Sequence, residues 1–298
     1  MKQKLCILIL SLFLFSGSEI KVQPQLMISK GLKVIVVQKD FPLLKVLLPN
    51  QPNSDRGIEI EFPEHVTGLN QKNNKIEQLY FVSKGSANKR TLPTWRAEGN
   101  SLIYESDLDN KVSLIATARL EANGLRYTYK FINHSDVSYL NLQAVTCVKL
   151  YSVFSDSLLQ RTYVHHSDGF ELMASETPNR LTIPLQKWLP CRYLVSYNWD
   201  VPSIRSEKDS DSVTRYYKSR KADKPFIATL SHDKSWIAAT YTKETGNLWT
   251  NPERSCQHAD PAINLGAGET KSLELKTIII KGNPEQLLKV IDREIAKN

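Results

Sequence analysis

The feature that most limits the fold of this 298-residue chain is an alternation of apolar and polar side chains with a period of two. Residues 58–62 read Ile-Glu-Ile-Glu-Phe, residues 125–131 read Leu-Arg-Tyr-Thr-Tyr-Lys-Phe, and residues 273–277 read Leu-Glu-Leu-Lys-Thr. Successive side chains of a strand point to opposite faces, so each run predicts a strand with one buried face and one wet face. The chain therefore predicts an all-β fold, a large antiparallel β-sandwich.

Turn signals separate the alternating runs. The strongest is Asn123-Gly124, which predicts a hairpin with a type I′ turn because both central residues of that turn need a positive φ. Weaker signals of the same kind are Gly99-Asn100, Asp109-Asn110, His232-Asp233 and Gly246-Asn247.

One helix is expected, at the C-terminus. Asn283 is a good N-cap, Pro284 suits the first helical position, and Gln286 completes the spacing of a capping box. An apolar stripe follows and predicts a short helix packed on the sandwich; it consists of Leu287, Leu288, Ile291 and Ile295.

Residues 203–224 form the most charged stretch, with basic and acidic side chains and Tyr216-Tyr217 at its centre. Charged polar segments of this kind are typical of a solvated loop. The alternative interpretation is a flap whose basic and aromatic groups contact an acidic sugar polymer.

The first eighteen residues have the pattern of a secretory signal peptide. Lys2 and Lys4 precede an apolar run over residues 5–15, and Ser16-Gly17-Ser18 supplies small residues for cleavage. The apolar run is too short to span a bilayer, so we expect no transmembrane anchor. We expect a secreted or periplasmic protein whose residues 19–298 form a single domain, since no repeat or linker interrupts them.

The net charge and the cysteine content limit the choice of binding partner and the number of disulfides, but only weakly. The formal net charge is +8, of which Lys2 and Lys4 contribute two, and a mildly basic balance fits acidic glycans, anionic surfaces or plain solubility. Three cysteines remain after export, namely Cys147, Cys191 and Cys256, which allows at most one internal disulfide and leaves its pairing open.

The C-terminal stretch carries the most specific pattern. It reads Cys256-Gln257-His258-Ala259-Asp260-Pro261, then Gly266-Ala267-Gly268-Glu269-Thr270, then the alternating run that starts at Leu273. This order resembles the last part of galactose mutarotase-like (aldose 1-epimerase-like) sandwiches, in which a Glu-x-Gln-x-x-Pro-Asp stretch precedes a Pro-Gly-Glu turn and a final strand. Residues 127–136 resemble the strand of that family that ends in Asn-x-Ser-Asp. The resemblance implies a galactose mutarotase-like supersandwich that handles carbohydrate.

The same resemblance implies a carboxylate and a histidine that act on opposite sides of a sugar ring. Cys256 stands near the position where the family carries its acid, and the strand over residues 142–147 has no histidine. The remaining candidates for acid and base lie nearby or elsewhere in the chain. They are His165, His166, Glu253, His258 and Asp260.

Aromatic and polar side chains at probable strand ends are candidates for contacts with a sugar. Trp stacks on the apolar face of a sugar ring, while Asn, Asp and Arg bind its hydroxyl groups. The candidates are Arg161, Asn198, Trp199, Asp200, Trp249 and Arg254, with His165 and His166 expected across the groove. Core packing is the alternative interpretation of each Trp.

Cys256 and His258 have i, i+2 spacing and point the same way along a strand. Together with His165, His166 or His232 they would bind a metal, but the sequence does not identify a further ligand. We therefore expect no metal and no cofactor, and we do not expect Cys256 to act as a nucleophile.

These patterns favour an exported protein that binds a glycan or sugar through an aromatic and polar groove. A carbohydrate-active enzyme, such as an epimerase, a glycosidase or a polysaccharide lyase, is the second hypothesis, and a non-catalytic structural protein of the cell envelope is the third. Carbohydrate is the expected partner and nucleic acid is not. The oligomeric state stays open.

Overall fold

The structure is a computed structural model. It describes residues 25–27, 31–38, 42–82, 94–109, 111–173, 192–198, 206–208, 213–217, 220–243 and 245–297. The predicted signal peptide, Cys191, Trp199 and Asp200 lie outside the described residues.

Strands make up most of the described chain. Their bounds are β1 Gln25–Met27, β2 Lys33–Gln38, β3 Pro42–Leu47, β4 Ile58–Asn70, β5 Lys75–Leu79, β6 Phe81–Val82, β7 Arg96–Glu98, β8 Ser101–Leu108, β9 Val112–Glu121, β10 Gly124–Asn133, β11 Tyr139–Leu150, β12 Thr162–His166, β13 Gly169–Leu172, β14 Arg192–Asn198, β15 Ser206–Lys208, β16 Val213–Tyr217, β17 Phe226–Leu230, β18 Trp236–Tyr241, β19 Thr245–Thr250, β20 Cys256–Leu265 and β21 Thr270–Lys281. Two short 3₁₀ helices, Ser152–Phe154 and Pro252–Arg254, and the α-helix α1, Pro284–Ile295, complete the described elements.

The strands form two sheets. The first has the order β1-β2-β3-β4-β11-β20-β19-β14-β16-β15, with β5 paired to β4. The second has the order β13-β12-β17-β18-β21-β10-β9-β8-β6, with β7 paired to β8. Neighbouring described strands are antiparallel except β14 and β16, which are parallel. The predicted all-β sandwich with a short C-terminal helix is confirmed.

The core between the sheets is rich in aromatic side chains. The Phe62 ring centroid lies 5.1 Å from that of Tyr127 and 4.9 Å from that of Tyr129, and all three side chains are fully buried. The predicted alternation holds on β10, where Leu125, Tyr127, Tyr129 and Phe131 are buried and the intervening residues are more exposed.

The alternation predicted for residues 58–62 is wrong on one point. Glu59 and Glu61 do not form a wet face, because they are only 7% and 5% exposed. Their carboxylates meet basic side chains, Arg56 beside Glu59 and Lys149 beside Glu61, and this pairing lets acidic residues occupy a buried face.

The turns predicted at Gly99-Asn100 and His232-Asp233 are confirmed, and Asn110 lies outside the described residues. The predicted hairpin between β9 and β10 is confirmed, but its type I′ turn is wrong. The two-residue loop is Ala122-Asn123, neither of which has a positive φ, and Gly124 is already the first residue of β10 with a φ of 144°. Gly246-Asn247 is not a turn. It lies inside β19, where the pairing with β20 is irregular and the Asn247 backbone N–H donates to the Thr245 hydroxyl.

The charged stretch over residues 203–224 is only partly a loop. It contains β15 and β16, which extend the edge of the first sheet. Whether it also acts as a flap stays a prediction.

Helix α1 has the predicted cap. The Asn283 side chain accepts from the Gln286 backbone N–H, and the Gln286 side chain accepts from the Asn283 backbone N–H, both at 3.0 Å. Leu287 and Ile291 are buried against the second sheet, and Leu288 and Ile295 pack at the margin of the same cluster. No helix in the described ranges is long and apolar enough to cross a membrane.

Candidate functional site

A strip of polar and thiol side chains crosses the centre of the first sheet. Cys147 on β11 is opposite Glu61 on β4, and Lys149 is opposite Cys256 on β20. Residues directly opposite share a face of the sheet. We name this set the buried strip; it comprises Glu59, Glu61, Cys147, Lys149, Trp249, Cys256, His258 and Asp260.

The buried strip faces away from the second sheet. Gln257, the residue between Cys256 and His258, donates to the Thr229 hydroxyl and the Ala238 carbonyl of β17 and β18. Because side chains alternate along β20, Cys256 and His258 point to the opposite face. They are nevertheless buried, with 2% and 1% exposed surface.

His258 is held between an aromatic ring and a carboxylate. The Trp249 ring stacks on the imidazole with centroids 3.6 Å apart and planes at 11°. Trp249 Nε1 donates to Asp260 Oδ2 at 2.9 Å, and the same oxygen lies 3.5 Å from His258 Nδ1. One face of the Trp249 ring is therefore covered by the imidazole, so the sugar stacking that the sequence predicts would need the opposite face.

Asp260 also accepts a backbone hydrogen bond at a place where the pairing of β11 with β20 is interrupted. The residue after it is Pro261, which has no backbone N–H, and the regular pairing of β11 with β20 is interrupted here. Asp260 Oδ1 accepts from the Thr146 backbone N–H at 3.3 Å. The carboxylate thus has a structural role, and its position is fixed.

The two thiols and the imidazole form a strongly interacting group. Burial opposes ionisation of Cys256, but the hydrogen bond with Cys147 and the charge of His258 outweigh it and hold the pKa of Cys256 well below its ordinary value. The hydrogen bond to Cys256 and burial raise the pKa of Cys147. Burial lowers the pKa of His258, but the charges of Cys256 and Asp260 raise it more. The arrangement stabilises one thiolate beside an imidazolium.

The other end of the buried strip is an ion pair. Lys149 Nζ contacts Glu61 Oε1, and their side chains are 13% and 6% exposed. Burial raises the pKa of Glu61 despite this partner. Lys149 in turn has a raised pKa because the partner's hydrogen bond and nearby negative charges outweigh its burial.

His165 and His166 lie on β12 in the second sheet, where they have local partners. His165 Nδ1 is 2.7 Å from Asp223 Oδ1, and His166 Nδ1 is 2.6 Å from the Lys221 carbonyl. His166 Nε2 is 3.2 Å from Glu171 Oε2. The two histidines therefore lie on a different sheet from His258, and the roles predicted for them stay predictions.

Arg161 and Arg254 lie together in a second feature, which we name the arginine groove. It has a volume of about 520 Å³ and lies beside the 3₁₀ helix Pro252–Arg254 and the ends of β11 and β20. Its lining includes Tyr151, Asp156, Ser157, Gln160, Arg161, His232 and Arg254. Of the sequence-predicted site residues, the structure thus joins Trp249, His258 and Asp260 in one place, and Arg161 and Arg254 in another.

Two further predicted residues are described by their backbone alone. Asn198 ends β14, and Glu253 is in the 3₁₀ helix between Pro252 and Arg254. Their predicted roles stay predictions, as do those of Trp199 and Asp200.

Sequence reasoning did not identify Cys147, Lys149 or Glu61 as members of a site. Each of them lies in an alternating or apolar run that reads as ordinary strand. The available signal was the i, i+2 pair Cys147–Lys149, whose spacing matches that of Cys256–His258.

Comparisons with solved structures find similar folds. A galactose mutarotase related enzyme from Lactobacillus acidophilus is 9% identical with a TM-score of 0.46, covering 88% of this chain and 99% of its own. A galactose mutarotase-like protein from Lactobacillus casei is 10% identical with a TM-score of 0.47, covering 87% and 100%. An α-N-acetylgalactosaminidase from Bifidobacterium bifidum is 8% identical with a TM-score of 0.50, covering 92% of this chain and 39% of its own.

No protein-family model matches the sequence, and neither does any curated protein. Two of these solved structures bear the name of the galactose mutarotase-like sandwiches that the sequence resembles, at TM-scores of 0.46 and 0.47. At these identities the likeness carries no argument about chemistry.

Proposed function

We propose that this protein is exported and binds a carbohydrate, and that the arginine groove is its binding site. The observation that carries the proposal is the groove itself, which combines a volume of about 520 Å³ with two arginines, a histidine and several neutral polar groups. Small-molecule sites usually occupy about 300–1,000 Å³ and orient their ligand with a few polar groups.

One arginine of the groove already makes hydrogen bonds within the protein, and the other is exposed to solvent. Arg161 donates to the Leu230 and Ser155 carbonyls, which fixes its guanidinium in place. Arg254 is exposed at the end of its 3₁₀ helix. A guanidinium offers paired N–H donors to two adjacent oxygen atoms, as found in a carboxylate or in neighbouring hydroxyls.

The charge of the groove favours a sugar that carries a carboxylate. Its acidic member, Asp156, is buried and already accepts from the backbone N–H groups of Gln160 and Arg161 and from the Thr162 hydroxyl. That leaves Arg254 as an exposed, positively charged group, to which a uronic acid would bind more tightly than its neutral counterpart.

A second cavity of about 480 Å³ is less suited to a ligand. Its charged groups pair with one another, since Arg126 binds Glu121 and Glu294 across the space between α1 and the second sheet. These interactions stabilise the packing of the helix.

Binding is favoured over catalysis by the placement of the candidate acids and bases. His258 and Asp260 are neighbours on one strand and are buried, so they do not face each other across an open groove. Product analysis separates the two hypotheses, because an enzyme would release a product or convert an anomer.

The test is a screen of the purified mature protein against acidic and neutral oligosaccharides by thermal shift, followed by calorimetry. Arg254→Ala removes a charged hydrogen-bond donor and should cost about 1.5–3 kcal/mol, or about ten- to hundredfold in Kd. Arg293→Ala removes the same charge from an exposed residue of α1 that does not line the groove, and it should leave Kd unchanged.

Three results would contradict the proposal. They are the absence of any sugar ligand, equal affinity of the wild type and Arg254→Ala, and turnover of the bound sugar, which would favour the enzyme hypothesis. Export is tested separately, since protein recovered from its native host should lack about the first eighteen residues by intact mass.

A further inference from the structure

The centre of the buried strip has the donor set of a metal site. Cys147, Cys256 and His258 each offer a ligand atom, and these atoms lie within 4.8 Å of one another. All three residues are buried, at 2%, 2% and 1% exposure. Two sulfurs and one imidazole nitrogen, each from a rigid central strand, converge on one point. We propose that this point binds a zinc ion.

The register of the sheet brings the donors together. Val148 is opposite Gln257 and Lys149 is opposite Cys256, so the same register places Cys147 beside His258. Cys256 is then diagonal to Cys147, on the same face. The distal ligand that the i, i+2 pair Cys256–His258 lacks in the sequence is therefore supplied by β11, from 109 residues earlier in the chain.

An unsatisfied polar atom gives independent support. His258 Nδ1 is fully buried and has no hydrogen-bond partner in the part of the chain that the structure describes, although Asp260 Oδ2 is 3.5 Å away. Buried polar atoms in folded proteins nearly always have a partner, so an exception needs an explanation. When a histidine binds metal through one nitrogen, a carboxylate commonly accepts a hydrogen bond from the other and orients the ring. With zinc on Nε2, the proton of His258 stays on Nδ1, and Asp260 Oδ2, 3.5 Å away, is the carboxylate placed to accept it.

Two glutamates beside Cys147 offer the fourth metal ligand. Carboxylate oxygens of Glu61 and Glu64 lie within 4.8 Å of each other and of Cys147 Sγ. Zinc prefers four ligands in a tetrahedron, and two thiolates with one imidazole and one oxygen match that preference. Calcium and magnesium prefer oxygen ligands alone, so this set excludes them.

Binding needs no oxidant or reductant. Zn²⁺ forms bonds to two sulfurs and one nitrogen, and two protons leave the group for solvent. The two positive charges of the ion replace the two protons, so the buried region gains no net charge. The inference does not depend on the sugar proposal, because the arginine groove contributes none of these ligands.

The first measurement is metal content. The full mature chain, purified without a histidine tag or chelator, should contain about one zinc per chain by elemental analysis. Zinc removed under reducing conditions and replaced by Co²⁺ should give a thiolate-to-cobalt absorption band.

Variants test the ligands one at a time. Cys147→Ser, Cys256→Ser and His258→Gln should each bind zinc at least tenfold more weakly, and Asp260→Asn about 10–100-fold more weakly. His134→Gln is the matched control, since His134 is an exposed histidine outside the buried strip, with its Nε2 2.9 Å from the Ser113 hydroxyl. It should bind zinc as the wild type does. If a ligand variant does not fold, the cobalt band of the wild type still reports thiolate ligation.

Several outcomes overturn the proposal. One is wild-type protein with neither stoichiometric zinc nor a cobalt band. Another is a peptide mass that shows a Cys147–Cys256 disulfide in metal-free native protein. A third is a folded Cys147→Ser variant that retains wild-type affinity for zinc.

Discussion

Glu294→Gln is expected to destabilise the protein by about 3 kcal/mol at pH 7. Glu294 Oε1 lies 2.9 Å from Lys276 Nζ, and their side chains are only 3% and 1% exposed. Its other oxygen binds Arg126. Loss of one partner from a buried ion pair costs about 3–5 kcal/mol, because a buried charge is left uncompensated. The lower end applies here, since Lys276 keeps Glu121 at 2.6 Å.

The pH dependence gives a second estimate. Burial alone raises the pKa of Glu294, but hydrogen bonds from Lys297, Lys276 and Arg126 outweigh it and lower the pKa from 4.5 to about 2. A folded-state pKa below the unfolded-state pKa means that the stabilisation is complete above pH 4.5 and is lost as the pH falls towards 2. A gap of about 2.5 between these pKa values corresponds to about 3 kcal/mol.

The assay is urea unfolding of the wild type and the variant, followed by circular dichroism at pH 7 and pH 3. The difference in free energy of unfolding should shrink to less than half at pH 3. Glu274→Gln is the control, because Glu274 binds the same Arg126 at 2.5 Å but is 56% exposed. Exposed pairs contribute about 0–1 kcal/mol. Equal losses in both variants, or a loss for Glu294→Gln that does not change with pH, would refute the reasoning.

Four other substitutions, two of them compared as a pair, test local features by the same unfolding assay. Asn283→Ala removes the cap of α1 and should cost about 1 kcal/mol, so an unchanged free energy of unfolding would contradict the cap. Tyr139→Phe should be neutral or slightly stabilising, since the Tyr139 hydroxyl is buried and has no partner among the described residues. Tyr104→Phe should cost about 1 kcal/mol or more, because the Tyr104 hydroxyl donates to the Phe62 backbone carbonyl. A larger loss for Tyr139→Phe than for Tyr104→Phe would be evidence against both assignments. Gly124→Ala should cost at least about 2 kcal/mol, because its Cβ would lie 2.0 Å from the Thr277 carbonyl, and a variant as stable as the wild type would show that the backbone there can move.

Much of the fold was predictable because its signals are local. The hairpin at Asn123-Gly124, the capping box at Asn283 and the closing strand at Leu273 each depend on residues within a few positions of one another. The prediction of a turn at Gly246-Asn247 was wrong because these residues lie in an irregular part of β19. There the Asn247 backbone N–H donates to the Thr245 hydroxyl, in place of the hydrogen bond that a turn would make.

The candidate sites were less predictable because they depend on register. The sequence indicated Cys256, His258 and Asp260, but nothing local pairs Cys147 with them. That contact exists only once β11 and β20 are aligned, and a shift of one residue would turn Cys147 to the other face. The arginine groove likewise joins Arg161 and Arg254 from distant segments.

The strand order has a consequence for how the molecule is made. β20 lies between β11 and β19 in the middle of the first sheet, and β21 lies between β18 and β10 in the middle of the second. Both central strands come from the last fifth of the chain. Until residues 256–281 leave the ribosome, each sheet consists of separated pieces with unpaired edges, which are prone to pair with other chains. Each sheet is therefore completed late, when β20 and β21 pair with the strands on either side of them, and the nascent chain would need protection from other chains until then.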